Sequence, residues 1–324
     1  MWPYRGRHYC EDQTGHNIMK TRKDKIGFIG LGTMGAPIAT YLIKTGWDVI
    51  AFDINKAKCS SLRESTNCVI ARSPEEVMNL ASRLITILPT SDHVEEVLFG
   101  KHGASAEIQS GDIVIEMSTG QIDQFERQAK QIKGLGAILI DAPVCLSPAE
   151  AATGNLISLV GGGKDDVERI LDLLDAISQR VVYVGPASYG LRLKLVNNYM
   201  SMINHVLTAE VLALATTVGL NRQLTVDLLQ NTAAGRGQLL TNFPKKVLRG
   251  DVTADFPINM GIKDLSMAIS MFGNMKSNAA FGSLARQYFD HAAEAGFGSK
   301  DCTAVLEYLD EKFAKKFSKN INLE

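Results

Sequence analysis

The stretch KIGFIGLGTMGAPIATYL, residues 25–42, decides the fold, because it sets three glycines between a short apolar run and a segment with helical spacing. Residues 26–29 are apolar in succession and predict a buried strand. Gly30, Gly32 and Gly35 follow in GxGxxG order. In a strand, turn and helix of this kind, the first glycine makes the turn, the second lets a pyrophosphate approach the backbone, and the third lets the helix pack on the strand. The stretch therefore predicts a dinucleotide-binding unit.

An acidic residue supports this interpretation and indicates which dinucleotide is bound. Asp53 ends the next predicted strand, DVIAFDI, and lies 18 positions after Gly35. A carboxylate near that distance accepts the two hydroxyls of an adenosine ribose and repels a 2′-phosphate, which favours NAD over NADP. An ordinary surface aspartate after a strand is the alternative.

Strand-like and helical segments alternate along the first half of the chain. The further predicted strands are RLITILP, DIVIEMST, AILIDAPV, LISLVGG and RVVYVG, with helical stretches between most of them, and this alternation predicts a mainly parallel sheet. Ligands of such sheets bind beyond the carboxyl ends of the strands. Leu88, Pro89, Ser118 and Thr119 are therefore candidate cofactor contacts, with ordinary turn chemistry as the alternative.

The pattern changes to all-helical after Gly185. We expect a disordered extension over residues 1–24, an α/β Rossmann domain with a mainly parallel, doubly wound sheet over 25–186, and an all-α C-terminal domain over 187–324. The first helix of the second domain is long and apolar around most of its circumference, which favours burial at a domain or subunit interface. We therefore expect a homo-oligomer.

Composition restricts the class of partner. The chain has 34 Lys and Arg against 35 Asp and Glu, so its total charge does not favour a nucleic acid or an anionic membrane surface. The five cysteines are widely spaced without a CxxC pair, and the histidines lack ligand spacing, so neither a disulfide framework nor a metal site is predicted. With no apolar run long enough for a membrane span and no signal-peptide pattern, we expect a cytoplasmic protein with a small-molecule substrate.

Four polar residues interrupt the apolar pattern at the start of the long helix: Lys194, Asn197, Asn198 and Ser201. Lys194 and Asn198 are four residues apart and share one face. We interpret Lys194 as a general acid that gives a proton to a carbonyl oxygen as a hydride arrives, with Asn198 orienting it and the substrate. A solvated first helical turn is the alternative. Lys263, in GIKDL, could reach the nicotinamide or the substrate, or else form a surface ion pair.

A third element is DAPVCLSPAEAATGNL, residues 141–156. It is predicted to be a strand that continues into a loop of small residues, whose free N–H groups could bind an anionic group of a small acid. Cys145 and Ser147 add polar side chains. Because no histidine belongs to the same motif, Cys145 is not interpreted as a nucleophile.

The chain resembles the β-hydroxyacid (3-hydroxyisobutyrate) dehydrogenase family in four motifs, which occur in the same order and at similar separations. They are GFIGLGTMGAPIA, DAPV with its small-residue loop, GPASYGLRLKLVNN and IKDL. The resemblance covers residues 25 to about 310. It implies dimers or tetramers and interconversion of a 3-hydroxy acid with its semialdehyde. By the resemblance, Lys194 is the catalytic lysine, Asn198 binds substrate and Lys263 lies near the nicotinamide. The positions that match cofactor contacts are Thr33, Met34, Asp53, Leu88, Pro89 and Thr119.

Within the family, KLVNNYMSMINHVLTAE and NTAAGRGQLLTNFPKKVLRGD look most like the 3-sulfolactaldehyde reductase branch, whose members use NADH. Cys145, Leu146 and Ser147 stand where the commoner branches carry Ser-Gly-Gly, and Leu146 stands where the sulfolactaldehyde branch has an arginine for the sulfonate. The first candidate substrate is 3-sulfolactaldehyde. The semialdehydes of methylmalonate (the 3-hydroxyisobutyrate dehydrogenase reaction), tartronate and succinate remain alternatives.

Two other classes of function compete with this interpretation. A non-catalytic nucleotide-binding module with the same fold would tend to lose the lysine, and Lys194 is present. A decarboxylating enzyme of the 6-phosphogluconate type would need more basic residues for a sugar phosphate and a longer helical domain. The sequence therefore favours an NAD-dependent oxidoreductase that acts on a small anionic aldehyde or hydroxy acid.

Overall fold

The structure is a computed structural model that describes Arg22 and residues 25–66, 68–271 and 279–321, with side chains up to residue 314. The chain divides into two compact units, one up to Tyr199 and one from Met200 onward. This division falls inside a long helix, and the domain boundary predicted after residue 186 precedes it. Apart from Arg22, the predicted disordered extension over residues 1–24 lies outside the described residues.

One sheet organises the first unit, and its central part is parallel. Its strands are β1 (Lys25–Ile29), β2 (Asp48–Phe52), β3 (Val69–Ile70), β4 (Arg83–Thr86), β5 (Ile113–Glu116), β6 (Ile138–Asp141), β7 (Val144–Cys145), β8 (Leu156–Gly161) and β9 (Ser178–Gly185). The order is β3-β2-β1-β4-β5-β6-β8-β7, with β9 paired to β8. Strands β1 to β6 pair in parallel, β8 runs antiparallel to β6 and β7, and β9 is parallel to β8. The predicted mainly parallel sheet is confirmed.

Helices cover both faces of this sheet. They are α1 (Gly35–Lys44), α2 (Lys56–Thr66), α3 (Pro74–Leu80), α4 (Ser91–Phe99), α5 (Ile122–Gly134), α6 (Pro148–Ala151), α7 (Lys164–Glu168), α8 (Leu171–Ile177) and α9 (Tyr189–Thr217), which continues into the second unit. Successive residues of a strand point to opposite faces. Accordingly, Phe28 packs in one buried apolar cluster with Ile38 of α1, whereas Ile29 packs in another with Phe125 of α5. The doubly wound architecture follows from this alternation.

Arg22 is held against the amino-terminal edge of the sheet. Its guanidinium donates to both carboxylate oxygens of Asp112 at 2.8 Å and also to the carbonyl oxygens of Met78 and Glu107. Asp112 directly precedes β5 and is buried. A buried carboxylate with a bidentate arginine is a strong, geometrically specific pair. The chain is therefore fixed to the sheet before its first strand begins.

The described residues of the second unit are mainly helical, as predicted. After the remainder of α9, its helices are α10 (Arg222–Leu229), α11 (Ala233–Arg236), α12 (Ile258–Ser270), α13 (Ala280–Ala292) and α14 (Val305–Ile321). A small core of Ile258, Ala292, Phe297 and Ala304 joins α12 and α13 to the segment that precedes α14. An isolated antiparallel bridge pairs Pro257, which directly precedes α12, with Asp301.

Candidate active site

The three glycines of the first motif each serve a different geometric purpose. Gly30 has a φ of +103°, and a Cβ there would lie 2.3 Å from the carbonyl oxygen of Ile87. A Cβ on Gly35 would lie 1.8 Å from the carbonyl oxygen of Gly30, so the helix can approach the strand only without a side chain. At Gly32 a Cβ would meet nothing within 4 Å. The open side at Gly32 is where a pyrophosphate can reach the backbone at the start of α1.

The predicted cofactor contacts are gathered along the carboxyl edge of adjacent parallel strands. Thr33 and Met34 lie between β1 and α1, and Asp53 follows β2. The remaining members, Leu88, Pro89, Ser118 and Thr119, lie in the turns after β4 and β5. Since the sheet order is β2-β1-β4-β5, these turns are neighbours at one edge. They flank the point between β1 and β4 where the strand order reverses, the usual dinucleotide site of such sheets.

Asp53 also supports the glycine turn. Its Oδ2 accepts the N–H of Leu31 at 2.7 Å, and its Oδ1 accepts the N–H of Asn55 at 2.7 Å. The Nζ of Lys58 lies 3.8 Å from Oδ2. Each carboxylate oxygen has two lone pairs, so the backbone contacts leave acceptor capacity for ribose hydroxyls. The residue therefore links the end of the second strand to the glycine turn.

A buried carboxyl group ties the turns after β4 and β5 together. Glu116 accepts the N–H of Ser118 at 2.7 Å and shares a hydrogen bond with the hydroxyl of Thr86, and the Ser118 hydroxyl accepts the N–H of Leu88 at 2.7 Å. Burial raises the pKa of Glu116 to about 7; hydrogen bonds from Ser118 and Thr86 oppose this rise, and the nearby charge of Asp141 adds to it. The sequence interpretation missed Glu116, although an acidic residue inside the apolar run DIVIE was a signal.

Lys194 lies beside the segment that was predicted to bind substrate. Its Nζ is 3.8 Å from the Sγ of Cys145, at the end of β7. Lys194 and Asn198 are half-buried, whereas Asn197 is exposed and donates its amide to Asn198 at 3.1 Å. Ser201, one turn further along α9, is half-buried like Lys194. The structure thus brings Lys194 and Cys145 together and puts Asn198 and Ser201 on the same helix face.

The loop predicted after Asp141 is more ordered than the sequence indicates. It contains β7 and the one-turn helix α6, whose first turn is capped by Ser147. Glu150 accepts the N–H of Ser147 at 2.9 Å, and the Ser147 hydroxyl accepts the N–H of Ala149 at 3.2 Å. These two N–H groups are therefore not free to bind an anion, because a capping box uses them. Leu146 lies between β7 and this cap with a φ of +84° and is 49% exposed.

Asp141, at the end of β6, is buried and bonded to the start of α9. Its two oxygens accept the N–H groups of Ser188 and Leu191 at 2.7 and 2.8 Å. Burial raises the pKa of Asp141 to about 6, and the backbone donors at Leu191 and Ser188 oppose that rise. The sequence predicted no role for Asp141. An acidic residue that ends the apolar run AILID was the available signal.

Lys263 lies on α12 in the second unit. Its Nζ is 3.1 Å from the Oδ1 of Asp264, and both side chains are about half exposed. This is the surface ion pair that was the alternative to a cofactor contact, and an exposed pair of this kind does not prevent either side chain from binding a ligand. The cofactor role of Lys263 stays a prediction.

Across the described parts of the chain, no three His, Cys, Asp or Glu side chains form a group that could hold a metal ion. The described helices include none that is long and apolar enough to cross a membrane.

Two family models match consecutive parts of the chain. The NAD-binding domain of 6-phosphogluconate dehydrogenase matches residues 25–185. The model described as NAD-binding of NADP-dependent 3-hydroxyisobutyrate dehydrogenase matches residues 189–309. The first match ends with β9, and the second begins with α9.

Full-length relatives agree with these matches. The 3-sulfolactaldehyde reductase of Escherichia coli K12 is 34% identical over 284 residues, which covers 88% of this chain and 95% of that protein. The mitochondrial 3-hydroxyisobutyrate dehydrogenase of Mus musculus is 33% identical, over 90% of this chain and 88% of that protein. The solved structure of Mycobacterium tuberculosis 3-hydroxyisobutyrate dehydrogenase with L-serine is 26% identical, with a TM-score of 0.59, and covers 89% of this chain and 99% of that one.

A GxGxxG turn at the carboxyl edge of a doubly wound sheet, followed by a helical unit, is typical of the dinucleotide-dependent oxidoreductases that these comparisons name. The chain belongs to the β-hydroxyacid (3-hydroxyisobutyrate) dehydrogenase family. It is an NAD-dependent hydroxyacid dehydrogenase, as the sequence predicted.

Proposed function

We propose that this protein interconverts a small anionic semialdehyde and its hydroxy acid, with 3-sulfolactaldehyde as the first candidate and Lys194 as the proton donor. The observation that carries the proposal is the approach of the Lys194 Nζ to within 3.8 Å of Cys145, at the end of the strand that leads into the substrate segment. The identity of 34% to a 3-sulfolactaldehyde reductase supports the choice of first candidate.

In the reductive direction, NADH bound at the glycine turn would supply a hydride to the carbonyl carbon. Lys194 donates a proton to the carbonyl oxygen as the C=O double bond becomes single, so that the alcohol leaves neutral and the lysine is reprotonated from solvent. Asn198, four residues along the same helix face, holds the substrate against Lys194 through its amide.

Removal of Lys194 tests this role directly. Lys194→Ala should lower kcat by roughly a hundredfold to ten-thousandfold, the usual contribution of a general acid, while the Kd for NADH stays unchanged. Lys133→Ala removes an exposed lysine from α5 in the same unit and serves as the matched control, with activity retained. Full turnover by Lys194→Ala would show that Lys194 is not the proton donor. If Lys194→Ala loses both NADH binding and turnover, the role assigned to Lys194 is wrong.

The substrate is the second part of the proposal, and Leu146 is the residue on which it depends. Its exposed side chain brings no positive charge to the position where the sulfolactaldehyde branch has arginine. This observation favours a second candidate, the 3-hydroxyisobutyrate dehydrogenase reaction, whose substrate carries a methyl group and a carboxylate. The semialdehydes of tartronate and succinate complete the set of alternatives.

Oxidation of NADH against these four semialdehydes, measured as kcat/KM, decides between the candidates. A preference for 3-sulfolactaldehyde supports the first candidate, and a preference for methylmalonate semialdehyde supports the second. Leu146→Arg is the informative variant, because a new guanidinium should raise kcat/KM for the sulfonate about tenfold or more relative to the carboxylates. An unchanged ratio in this variant would show that residue 146 does not face the substrate.

We also propose a homo-oligomer that forms through α9. Val196, Tyr199 and Met202 are 66%, 73% and 58% exposed, which is unusual for apolar side chains on one helix. A second copy of the chain would bury them. Light scattering after size exclusion should give a mass of at least twice 35.3 kDa, and a monomer would contradict the proposal.

A further inference from the structure

The start of α9 is held by a carboxylate from the neighbouring strand. Asp141 is 1% exposed, and its two oxygens accept the N–H groups of Ser188 and Leu191 at 2.7 and 2.8 Å. The first N–H groups of a helix have no partner within the helix, and a negative charge there is stabilised by the helix dipole. The contact therefore fixes both the end of the helix and its rotation.

Two glycines lie so close to this carboxylate that a side chain on either one would clash with it. A Cβ on Gly161 would lie 2.5 Å from Oδ1, and a Cβ on Gly190 would lie 2.9 Å from Oδ2 and 2.3 Å from the carbonyl oxygen of Leu159. The backbones of β8 and of the first turn of α9 thus contact the Asp141 side chain directly. Any displacement of α9 would have to break this contact.

The residue that leads into α9 is held in a strained conformation. Ser188 has a φ of +76°, which is unfavourable for a residue with a side chain, and it is buried. Its N–H donates to Asp141, and its hydroxyl donates to Oε1 of Glu126 on α5 at 2.9 Å. Strain of this kind persists only where the surrounding structure enforces it, and it concentrates at functional sites. Here the carboxylates of Asp141 and Glu126 hold Ser188 in this conformation.

The same short segment meets Lys194. Leu191, which Asp141 holds, is three residues before Lys194, so both lie on one face of α9. Cys145 is four residues after Asp141 and lies 3.8 Å from the Nζ of Lys194. One end of the β6–β7 segment therefore fixes the helix, and the other end faces the lysine that this helix carries.

We propose that Asp141 is the positioning residue of the active site, which holds α9 in the register that places Lys194 at the substrate segment. This inference rests on the proton transfer by Lys194 proposed above. Asp141 touches neither the substrate nor the lysine; it acts through the helix. A helix shifted by one ångström would carry Lys194 away from the reacting oxygen, and misplacement on that scale can lower the rate about a hundredfold.

A double-mutant cycle tests the proposal at about pH 8. Asp141→Asn keeps the volume but replaces one acceptor oxygen by an N–H₂ donor. One of the N–H groups of Ser188 and Leu191 therefore loses its acceptor. We expect kcat to fall about a hundredfold and the KM for the semialdehyde to rise, because α9 also carries Asn198, while the Kd for NADH changes by less than about threefold. In the Lys194→Ala background, Asp141→Asn should change kcat by less than about twofold, because two residues that act through one step are not additive.

Asp112→Asn is the matched control, because Asp112 is also buried and also accepts a backbone N–H, from Gln109, but lies at the opposite edge of the sheet. It should lower the Tm and leave kcat unchanged. If Asp141→Asn does not fold, Glu126→Ala replaces it: its side chain is partly exposed, and loss of its bond to Ser188 should lower kcat about two- to fivefold, again only when Lys194 is present.

The outcomes separate this inference from the function on which it rests. Equal losses of kcat with and without Lys194, or an unchanged kcat in Asp141→Asn, would overturn the positioning role and leave the catalytic role of Lys194 intact. Full turnover by Lys194→Ala alone would instead overturn the proposed function. A loss of kcat that disappears in the Lys194→Ala background supports both.

Discussion

Substitution of Glu116 by glutamine should stabilise the protein above neutral pH and do little in mild acid. In the folded chain the pKa of Glu116 is raised from 4.5 to about 7, chiefly by burial. The folded state therefore binds this proton more tightly than the unfolded state does. The neutral form stabilises the fold fully below about pH 4.5, and that contribution is lost as the pH rises through about 7.

The magnitude follows from the shift. One pKa unit corresponds to about 1.4 kcal/mol, so ionisation of Glu116 should lower the free energy of unfolding by about 2 to 3 kcal/mol between pH 5 and pH 8. Glutamine keeps the volume and both contacts, since its carbonyl oxygen accepts the N–H of Ser118 and its amide donates to the hydroxyl of Thr86. The free energy of unfolding of Glu116→Gln, relative to that of the parent, should therefore increase by about 2 to 3 kcal/mol from pH 5 to pH 8.

Urea unfolding of the cofactor-free chain, followed by tryptophan fluorescence at several pH values, measures this difference. Glu126→Gln is the control, because Ser188 and Arg192 hold the pKa of that exposed carboxyl below its usual range, and the variant should show no gain at high pH. The reasoning is refuted if the difference in free energy of unfolding between Glu116→Gln and the parent stays constant, or shrinks, from pH 5 to pH 8.

Three further predictions concern the cofactor and the chain start. The parent should prefer NADH to NADPH, and Asp53→Ala should weaken NADH binding about tenfold and shrink that preference, because the carboxylate that accepts the ribose hydroxyls is lost; equal use of both cofactors by the parent would contradict this. A chain that begins at Met19 keeps Arg22 and should match the parent in Tm and turnover, and a large drop in Tm would refute this expectation. Arg22→Ala should lower the free energy of unfolding by about 2 to 3 kcal/mol, since buried Asp112 loses its partner, and an unchanged denaturation midpoint would show that the pair contributes nothing.

Local signals in the sequence predicted the sheet and the glycine turn at its carboxyl edge. The glycine turn, the run of apolar strands and the aspartate after β2 are all properties of short segments, and each segment retains its local preference in the fold. The same holds for Lys194 and Asn198, whose common helix face follows from their spacing alone.

The parts that the sequence could not predict depend on contacts between distant segments. Asp141 bonds to Ser188 and Leu191, 47 and 50 residues away, and no local pattern specifies that meeting. The raised pKa of Glu116 likewise requires its burial between two turns. The capping box of Ser147 was local and could have been recognised, because Ser-Pro-Ala-Glu is a capping sequence.

The left-handed backbone at Leu146 has a consequence for how this position would change under selection. A leucine in that conformation is unfavourable by about 1 kcal/mol or more, and glycine relieves the strain. Selection for heat resistance alone should therefore enrich Leu146→Gly early. Selection for growth on the natural substrate should retain leucine if its side chain contacts that substrate. The two regimes would drive residue 146 in opposite directions, and sequencing the survivors would show which role the leucine has.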